Sequence, residues 1–340
     1  MVSIRLLARK MIAFLYYCSG KYRLANRGRV IILMYHRILE DDDVLIASIQ
    51  PGMYVTRSSF ERQMAYVNKY YEITSLEDLT KMWACDGFDR SKAYCVVTFD
   101  DGWRDNYLNA FDILKKYNIP ATIFLATEYI DTGRRFWHET LVDIFLTNNI
   151  DRVNAALSEA KQTIESSSAL QEITDSIRKV KRGESVIVDE LIESLKKYSS
   201  EELEAVLAAI FKPSTRSEEM LNWNEIKEMG QQNISFGSHT CNHEILTNIP
   251  LNKVQDELQK SGEELQGLDS YIPVFCYPNG NYNDDIQRLV SESGYVAAVT
   301  TQQGAEVSDP LNLFALKRVG VHEDISSTNS LFSYLLARLN

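Results

Sequence analysis

The chain has 340 residues, of which 45% are apolar and 24% charged, a composition that excludes a wholly disordered, collagen-like or multi-spanning protein. The net charge of −11 excludes a broad basic surface for nucleic acid. Five scattered cysteines, none at CxxC spacing, predict reduced and mostly buried thiols, and neither a disulfide framework nor a cysteine-ligated zinc.

The first 30 residues differ in charge from the rest. They contain no acid and seven cations: Arg5, Arg9, Lys10, Lys21, Arg23, Arg27 and Arg29. Residues 4–17 have apolar side chains three and four positions apart, which predicts an amphipathic helix. The uncharged run from residue 11 to residue 20 is shorter than the roughly 20 apolar residues that a membrane span needs.

The residues that follow the apolar run indicate whether this segment is cleaved or retained. Bulky tyrosines follow the apolar run and no Ala-x-Ala site is present, so we expect a retained helix and not a secretion or anchoring signal. We therefore expect a cytoplasmic protein. Residues 1–20 are a candidate contact with an anionic membrane surface at the inner face of the membrane. Docking of the helix on the protein body is the alternative.

Short apolar runs alternate with helical patterns along the rest of the chain. The sequence predicts helices over 59–71 and 106–117 and strands over 30–34, 94–99, 121–126, 234–237, 274–277 and 296–300. This alternation is typical of a parallel sheet covered by helices, with the chemistry at the carboxyl ends of the strands. Residues 139–220 interrupt it, and their charged helical pattern predicts an insertion with a structural or partner-binding role.

Two pairs of polar residues follow predicted strands. Asp100 and Asp101 come directly after 94–99, where adjacent buried acids are costly unless paired, for example with a metal ion; Asp-Asp-Gly is also a good turn sequence. His239 and His243 follow 234–237 at a spacing that would put both on one helix face, able to chelate one ion. Two histidines and a carboxylate leave a coordination position open for water, as in catalytic zinc sites.

Other candidates are less specific. The turn Tyr277–Gly280 could present backbone N–H groups to an oxyanion, or it is an ordinary turn. His36, after the first strand, could act as an acid or base, or be a hydrogen-bonded interior histidine. We expect His138 and His322 to be structural.

The ordered motifs resemble the polysaccharide deacetylases that carry the NodB homology domain. The matching segments are Thr98–Gly102, His239–His243 and Tyr277–Gly280, preceded by Tyr35-His36 as in the branch of the family with an N-terminal Tyr-His strand. The resemblance covers residues 30–138 and 221–325. It implies an α/β fold, an irregular (β/α)7 barrel with 139–220 as a helical insertion. Outside the resemblance, we expect the basic segment over 1–29 and a C-terminal helix over 326–340.

The same resemblance implies roles for the first two motifs. Asp101, His239 and His243 would bind zinc or another divalent metal. Asp100 would be the general base that activates the attacking water.

The remaining roles are less directly implied. The N–H of Asn279 would help hold the oxyanion, and His36 would be the general acid that protonates the leaving amine. Many members have an arginine just before the third motif that orients the base; it is missing here, and Arg318 is the candidate to replace it. Many members also carry the acid late in the chain, a pattern that His322 loosely fits, so His36 is favoured but the alternative stays open.

The implied activity is metal-dependent hydrolysis of an N-acetyl group, less readily an O-acetyl group, on a sugar of a polysaccharide, oligosaccharide or lipid-linked envelope glycan, with release of acetate. Trp103, Trp137 and Tyr282 are candidate surfaces for sugar rings, or core aromatics. The alternatives are a metal-dependent hydrolase of non-sugar amide bonds and a non-catalytic glycan-binding protein. The sequence leaves the glycan and the oligomeric state open.

Overall fold

The protein is described from a computed structural model, which covers residues 4–43, 49, 52–85, 87–146, 153, 156–157, 167–181, 188–211 and 219–339. The helices are α1 (Ile4–Cys18), α2 (Arg57–Tyr70), α3 (Leu76–Ala84), α4 (Phe111–Tyr117), α5 (Trp137–Leu146), α6 (Ser168–Lys181), α7 (Val188–Leu195), α8 (Ser200–Ile210), α9 (Trp223–Gly230), α10 (Leu251–Leu265), α11 (Asp284–Glu292), α12 (Glu323–Ser326) and α13 (Asn329–Ala337). The strands are β1 (Arg29–Tyr35), β2 (Arg37–Leu39), β3 (Tyr54–Thr56), β4 (Glu72–Ile73), β5 (Tyr94–Phe99), β6 (Ala121–Leu125), β7 (Ile234–Ser238), β8 (Tyr271–Cys276), β9 (Ala297–Gln303), β10 (Glu306–Val307) and β11 (Leu316–Gly320).

Seven parallel strands close into a barrel in the order β1-β5-β6-β7-β8-β9-β11, with β11 returning to β1. The closing pair aligns Leu33 with Val319 and Met34 with Gly320. Short β4 adds to the edge of β5, and β10 pairs antiparallel with the start of β1. The predicted (β/α)7 barrel is confirmed.

The barrel strands have the composition of strands covered on both sides. All six residues of β5 are buried, because alternate side chains face the barrel interior and the surrounding helices. The six predicted strands correspond to β1 and β5–β9. The seventh, β11, was not predicted, because Lys317 and Arg318 interrupt its apolar run.

The helices of the predicted insertion have a hydrophobic core of their own. Trp137, Leu141 and Val142 of α5 pack with buried side chains from α6, α7 and α8, in a cluster separate from those of the barrel. Parts of 139–220 lie outside the described residues, namely 147–152, 154–155, 158–166, 182–187 and 212–218. The boundaries of the insertion therefore stay a prediction.

The remaining predictions differ in detail. The predicted N-terminal helix is α1, and the predicted helix over 106–117 begins with a π-helical turn, Asn106–Ala110, before α4. Three cysteines are buried, Cys18 and Cys85 are exposed, and all five are free thiols. Among the described residues, no helix has the length and apolar character to cross a bilayer.

Candidate active site

The first component of the site is a buried ion pair at the carboxyl end of β5. The N–H of Asp100 donates to the carbonyl of Tyr35 at 2.9 Å, which continues the ladder between β1 and β5 by one residue. The Asp100 carboxylate, 2% exposed, accepts one hydrogen bond at 2.7 Å on each oxygen from the two Nη atoms of Arg318. Such a bidentate pair fixes the plane of the carboxylate as well as its charge.

Arg318 is built into the barrel and is fully buried. Its Nε donates to the carbonyl of Thr300 at 2.8 Å, and its Nη atoms also contact Thr98 Oγ1 and Cys276 Sγ, each at 3.2 Å. Burial is the largest single influence and raises the pKa of Asp100, but the Arg318 guanidinium, together with His239 and His36, outweighs burial and lowers that pKa below its usual value. The carboxylate is therefore ionised at neutral pH.

The second component is a group of three ligand-type side chains. Asp101 Oδ1 lies 3.5 Å from His239 Nε2 and 3.4 Å from His243 Nε2, and the three ligand atoms are all within 4.8 Å of one another. His239 Nδ1 hydrogen-bonds the carbonyl of Cys276 at 2.8 Å, which leaves Nε2 with its lone pair towards Asp101. One carboxylate and two imidazoles are donors that suit Zn²⁺ and similar divalent ions, so the residues fit the metal that the sequence predicts.

The backbone converges on this group by left-handed turns. Asp101 has a φ of 76°, and this turn directs its side chain away from that of Asp100. The sequence analysis expected the two histidines on one helix face, but they do not lie on a helix. Strand β7 ends at Ser238, and φ values of 66° at Thr240 and 53° at His243 fold the segment back. The expectation of a helical pair was wrong because these turns, and not the period of a helix, bring the two rings together.

A second group of possible ligand atoms, from Asp100, His239 and Cys276, fits a metal less well. Both oxygens of Asp100 are occupied by Arg318. Burial raises the pKa of the Cys276 thiol, which opposes the thiolate form that binds metals. The donor set with two histidines is therefore the better candidate.

His36 lies beside the ion pair at the end of β1. Its Nε2 is 4.0 Å from Asp100 Oδ2, its carbonyl accepts a hydrogen bond from Asn106 Nδ2 at 2.8 Å, and 19% of its side chain is exposed. Burial lowers the pKa of His36, although the two aspartates oppose this effect. His322, the alternative acid, lies outside the cavity described below and pairs with Asp324.

The turn after β8 forms the opposite edge of the site. Asn279 has a φ of 57° and Gly280 a φ of 76°, and a Cβ at Gly280 would lie 2.7 Å from the backbone nitrogen of Thr301. Only glycine fits this close approach. Lys196 Nζ donates to Asn279 Oδ1 at 2.8 Å, so a residue of the 139–220 region holds the turn from outside the barrel.

These groups line one cavity of about 280 Å³. Its floor contains His36, Asp100, Asp101, His239 and His243, and its rim includes Asn279. Arg318 supports the floor from below without lining it. The structure therefore brings together seven of the nine site residues that the sequence predicts.

The other two predicted residues lie elsewhere. Trp103, predicted as a sugar platform, is 1% exposed; its Nε1 donates to Asp101 Oδ2 at 2.8 Å, and the Arg37 guanidinium stacks on its ring at 4.2 Å. It supports Asp101 and offers no surface to a ligand. Tyr282 stacks on Tyr277 with ring centroids 5.1 Å apart and does not line the cavity. The platform prediction for Trp103 was wrong because its ring is buried, whereas that for Tyr282, which is partly exposed outside the cavity, stays a prediction.

Trp137, the third aromatic side chain predicted as a surface for sugar rings, lines the cavity wall together with residues to which the sequence analysis gave no role in the site. These residues are His138 of α5, Ile192 of α7 and Lys196 just after α7. His138, expected to be structural, stacks on Phe136, and its Nε2 is buried with no hydrogen-bond partner among the described residues. The pair Trp137-His138 ahead of the insertion was the available signal. Nothing in the helical pattern of 188–195 distinguishes a cavity wall from a solvated face.

The chain is similar to known proteins in sequence and in fold. A family model described as polysaccharide deacetylase matches residues 88–176 and 182–298, more than half of the chain. The chain is 23% identical over 313 residues to the Bacillus subtilis protein YxkH, whose name includes polysaccharide deacetylase; the match covers 91% of this chain and 77% of YxkH. It is 30% identical over 113 residues to a poly-beta-1,6-N-acetyl-D-glucosamine N-deacetylase of Staphylococcus epidermidis, covering 31% of this chain and 38% of that protein. The fold is similar to that of the Streptococcus pyogenes deacetylase PplD in complex with acetate, at 20% identity and a TM-score of 0.57, with 90% of this chain and 97% of that chain covered.

Proposed function

The chain belongs to the polysaccharide deacetylase family, and on that basis we propose that it hydrolyses an N-acetyl group on a glycan sugar in a metal-dependent reaction that releases acetate. One observation carries the proposal. An ionised, oriented carboxylate, Asp100, lies in the same cavity as a metal-type donor set formed by Asp101, His239 and His243. The partial match to an N-acetylglucosamine deacetylase favours an acetamido sugar as the substrate.

A divalent ion held by Asp101, His239 and His243 would supply Lewis acidity, polarising the acetyl carbonyl and making water more acidic. Asp100 accepts the proton of the attacking water, since Arg318 keeps it ionised and fixes the direction of its oxygens. The new C–O bond forms at the acetyl carbon, and the carbonyl oxygen takes the negative charge. The backbone N–H of Asn279 stabilises that charge.

Collapse of the tetrahedral anion breaks the C–N bond, and the amine leaves with a proton from His36. The 4.0 Å separation between His36 Nε2 and Asp100 Oδ2 places the acid and the base on one side of the cavity. The imidazolium form of His36 is the acid, and the lowered pKa makes that form a stronger acid while reducing the fraction present at neutral pH. The proton taken up by Asp100 then passes to His36, which returns the aspartate to its carboxylate form and the histidine to its acid form after the products leave.

The cavity wall explains how an acetamido sugar would be oriented. Trp137 is mostly packed in the core of the insertion, and its exposed 6% lines the cavity and gives a sugar ring one apolar contact. Lys196 faces the cavity while it holds the Asn279 side chain, so the 139–220 region shapes the entrance. We propose that the protein is cytoplasmic and meets this substrate at the inner face of the membrane.

Acetate release tests the proposal. Metal-loaded protein is incubated with β-1,6- and β-1,4-linked N-acetylglucosamine oligomers, with an O-acetylated sugar and with a non-sugar acetamide. We expect acetate from at least one N-acetylglucosamine oligomer, loss of that activity in His239→Ala, and retention in the matched control His322→Ala. Release only from the non-sugar acetamide would support the amide hydrolase instead, and binding of oligomers with no release would support a glycan-binding protein.

A further inference from the structure

The N-terminal helix α1 packs on the protein with its less apolar side. Ala13 is fully buried, and Tyr16 contacts Tyr334 of α13 with ring centroids 6.0 Å apart. Nearby, Asn26 Nδ2 donates to the carbonyl of Leu336 at 3.1 Å, so the segment after the helix is also held against the C-terminal helix. This attachment orients α1 on the body of the protein.

The opposite side of α1 is an exposed apolar stripe. It consists of Leu7, Met11, Phe14 and Leu15, which are 65%, 61%, 59% and 62% exposed. Their spacing, i, i+4, i+7 and i+8, places them on one face, about half a turn from Ala13. The apolar side chains that the sequence analysis considered for docking on the body therefore point away from it.

Single exposed apolar side chains are normal on a protein surface, but four large ones together on one helix face indicate an interaction site. Exposed cations accompany the stripe in the sequence: Lys10 lies on the helix beside it, and Lys21, Arg23 and Arg27 lie in the segment that follows α1. The first 30 residues contain no acid, while the whole chain has a net charge of −11. The side chain of Arg5 lies outside the described residues.

We propose that this stripe binds the surface of a bilayer that contains anionic lipids, with α1 lying in the interface. An apolar face edged by lysines and arginines is the pattern of helices that insert among headgroups, and a partner protein would have to combine an apolar groove with an acidic rim. The helix is too short and too polar on its other side to span the bilayer. The proposal is independent of the reaction in the barrel, and it would bring the enzyme to glycans built on lipids.

Vesicle co-sedimentation of the full chain tests this surface. We expect binding to vesicles of phosphatidylcholine with about a third phosphatidylglycerol, and much weaker binding to phosphatidylcholine alone, since each cation near an anionic surface contributes about fivefold to partitioning. The variant Met11→Glu/Phe14→Glu should lower binding by at least about tenfold. The control Leu108→Glu/Leu251→Glu introduces the same charge at two other exposed apolar residues and should bind as the unaltered chain does.

A second pair of variants separates the cations from the stripe. Lys10→Gln/Lys21→Gln/Arg27→Gln should weaken binding to anionic vesicles, while Lys69→Gln/Lys115→Gln/Lys260→Gln, which removes three cations elsewhere, should not. An equal loss of vesicle binding in both triple variants would mean that binding depends only on the net charge of the protein, and would overturn the proposal. The absence of vesicle binding would also overturn it. So would a chain that is dimeric in sedimentation equilibrium and monomeric in the variant Met11→Glu/Phe14→Glu, since a second copy of the chain would then cover the stripe.

Discussion

Replacing Arg318 by methionine tests how Asp100 is kept ready to accept a proton. The substitution removes the buried cation and keeps much of the side-chain volume. Charges with centres about 4 Å apart interact by about 4 kcal/mol at an effective dielectric constant of 20, which corresponds to about three pKa units. Because burial alone raises the pKa of Asp100, we expect that pKa to rise towards neutrality when the cation is removed.

The assay is the pH profile of kcat/KM for acetate release, at saturating metal. In the unaltered enzyme the acidic limb that reports Asp100 lies below the usual carboxyl range, because the pKa is lowered. In Arg318→Met this limb should move up by about two to three pH units, so that activity lost at neutral pH partly returns at alkaline pH. Arg318→Lys, which keeps the charge without the fork, should show a smaller shift. A loss of the same size at every pH would refute the reasoning.

The free energy of unfolding gives an independent check of the pairing between Asp100 and Arg318. In the unaltered protein the folded pKa of Asp100 is below the unfolded one, so its stabilising contribution is present above the unfolded pKa and is lost as the pH falls through the folded pKa. Arg318→Met leaves an unpaired buried carboxylate, which costs about 3–5 kcal/mol at neutral pH and less as the pH falls. Asp100→Asn/Arg318→Met should therefore be more stable to urea at neutral pH than Arg318→Met. A double variant no more stable than the single one would contradict the pairing.

Three further predictions concern the rest of the site. His243→Ala should lower the metal content of purified protein and remove the stabilisation by added metal, about 2.7 kcal/mol at a concentration 100 times the Kd, measured by elemental analysis and thermal unfolding. His36→Gln should lower kcat by about 10²- to 10⁴-fold with metal content unchanged, whereas His322→Gln should change it by less than about twofold; the reverse order would make His322 the acid. Lys196→Met should lower kcat/KM by about tenfold through the loss of a charged hydrogen bond to Asn279. The control Lys253→Met removes an exposed lysine that pairs with Glu201 and should leave kcat/KM unchanged. Equal effects of the two substitutions would deny Lys196 a role at the turn.

The barrel could be predicted because its strands are nearly continuous apolar runs. Residues 94–99 and 121–126 have only one reasonable interpretation, and both are barrel strands. The exception is β11, where Arg318 stands in the middle of a strand. An arginine inside a barrel makes physical sense only when its partner is known, and Asp100 lies more than 200 positions away in the sequence. A local pattern cannot supply that pairing, and only the family resemblance indicated Arg318 as the residue that orients the base.

Site residues that directly follow barrel strands could be predicted from the sequence, but those contributed by the helical region 139–220 could not. Asp100 and His239 follow barrel strands directly, so the fold places them together. Lys196 reaches the cavity from a helical region whose sequence is that of a solvated face, and its contact with Asn279 depends on tertiary packing. Trp103 was misassigned for a related reason, since an aromatic side chain beside a motif serves equally as a platform or as packing.

The most direct test of the central claim uses one substitution, Asp100→Asn, in protein reconstituted with metal. The account predicts that this variant keeps the metal content of the unaltered enzyme, because Asp101, His239 and His243 are intact, and releases acetate from an N-acetylglucosamine oligomer at least about 10²-fold more slowly. Chelation of the unaltered enzyme should abolish acetate release, and added metal should restore it. Acetate release by Asp100→Asn at the unaltered rate, with metal bound, would contradict the account.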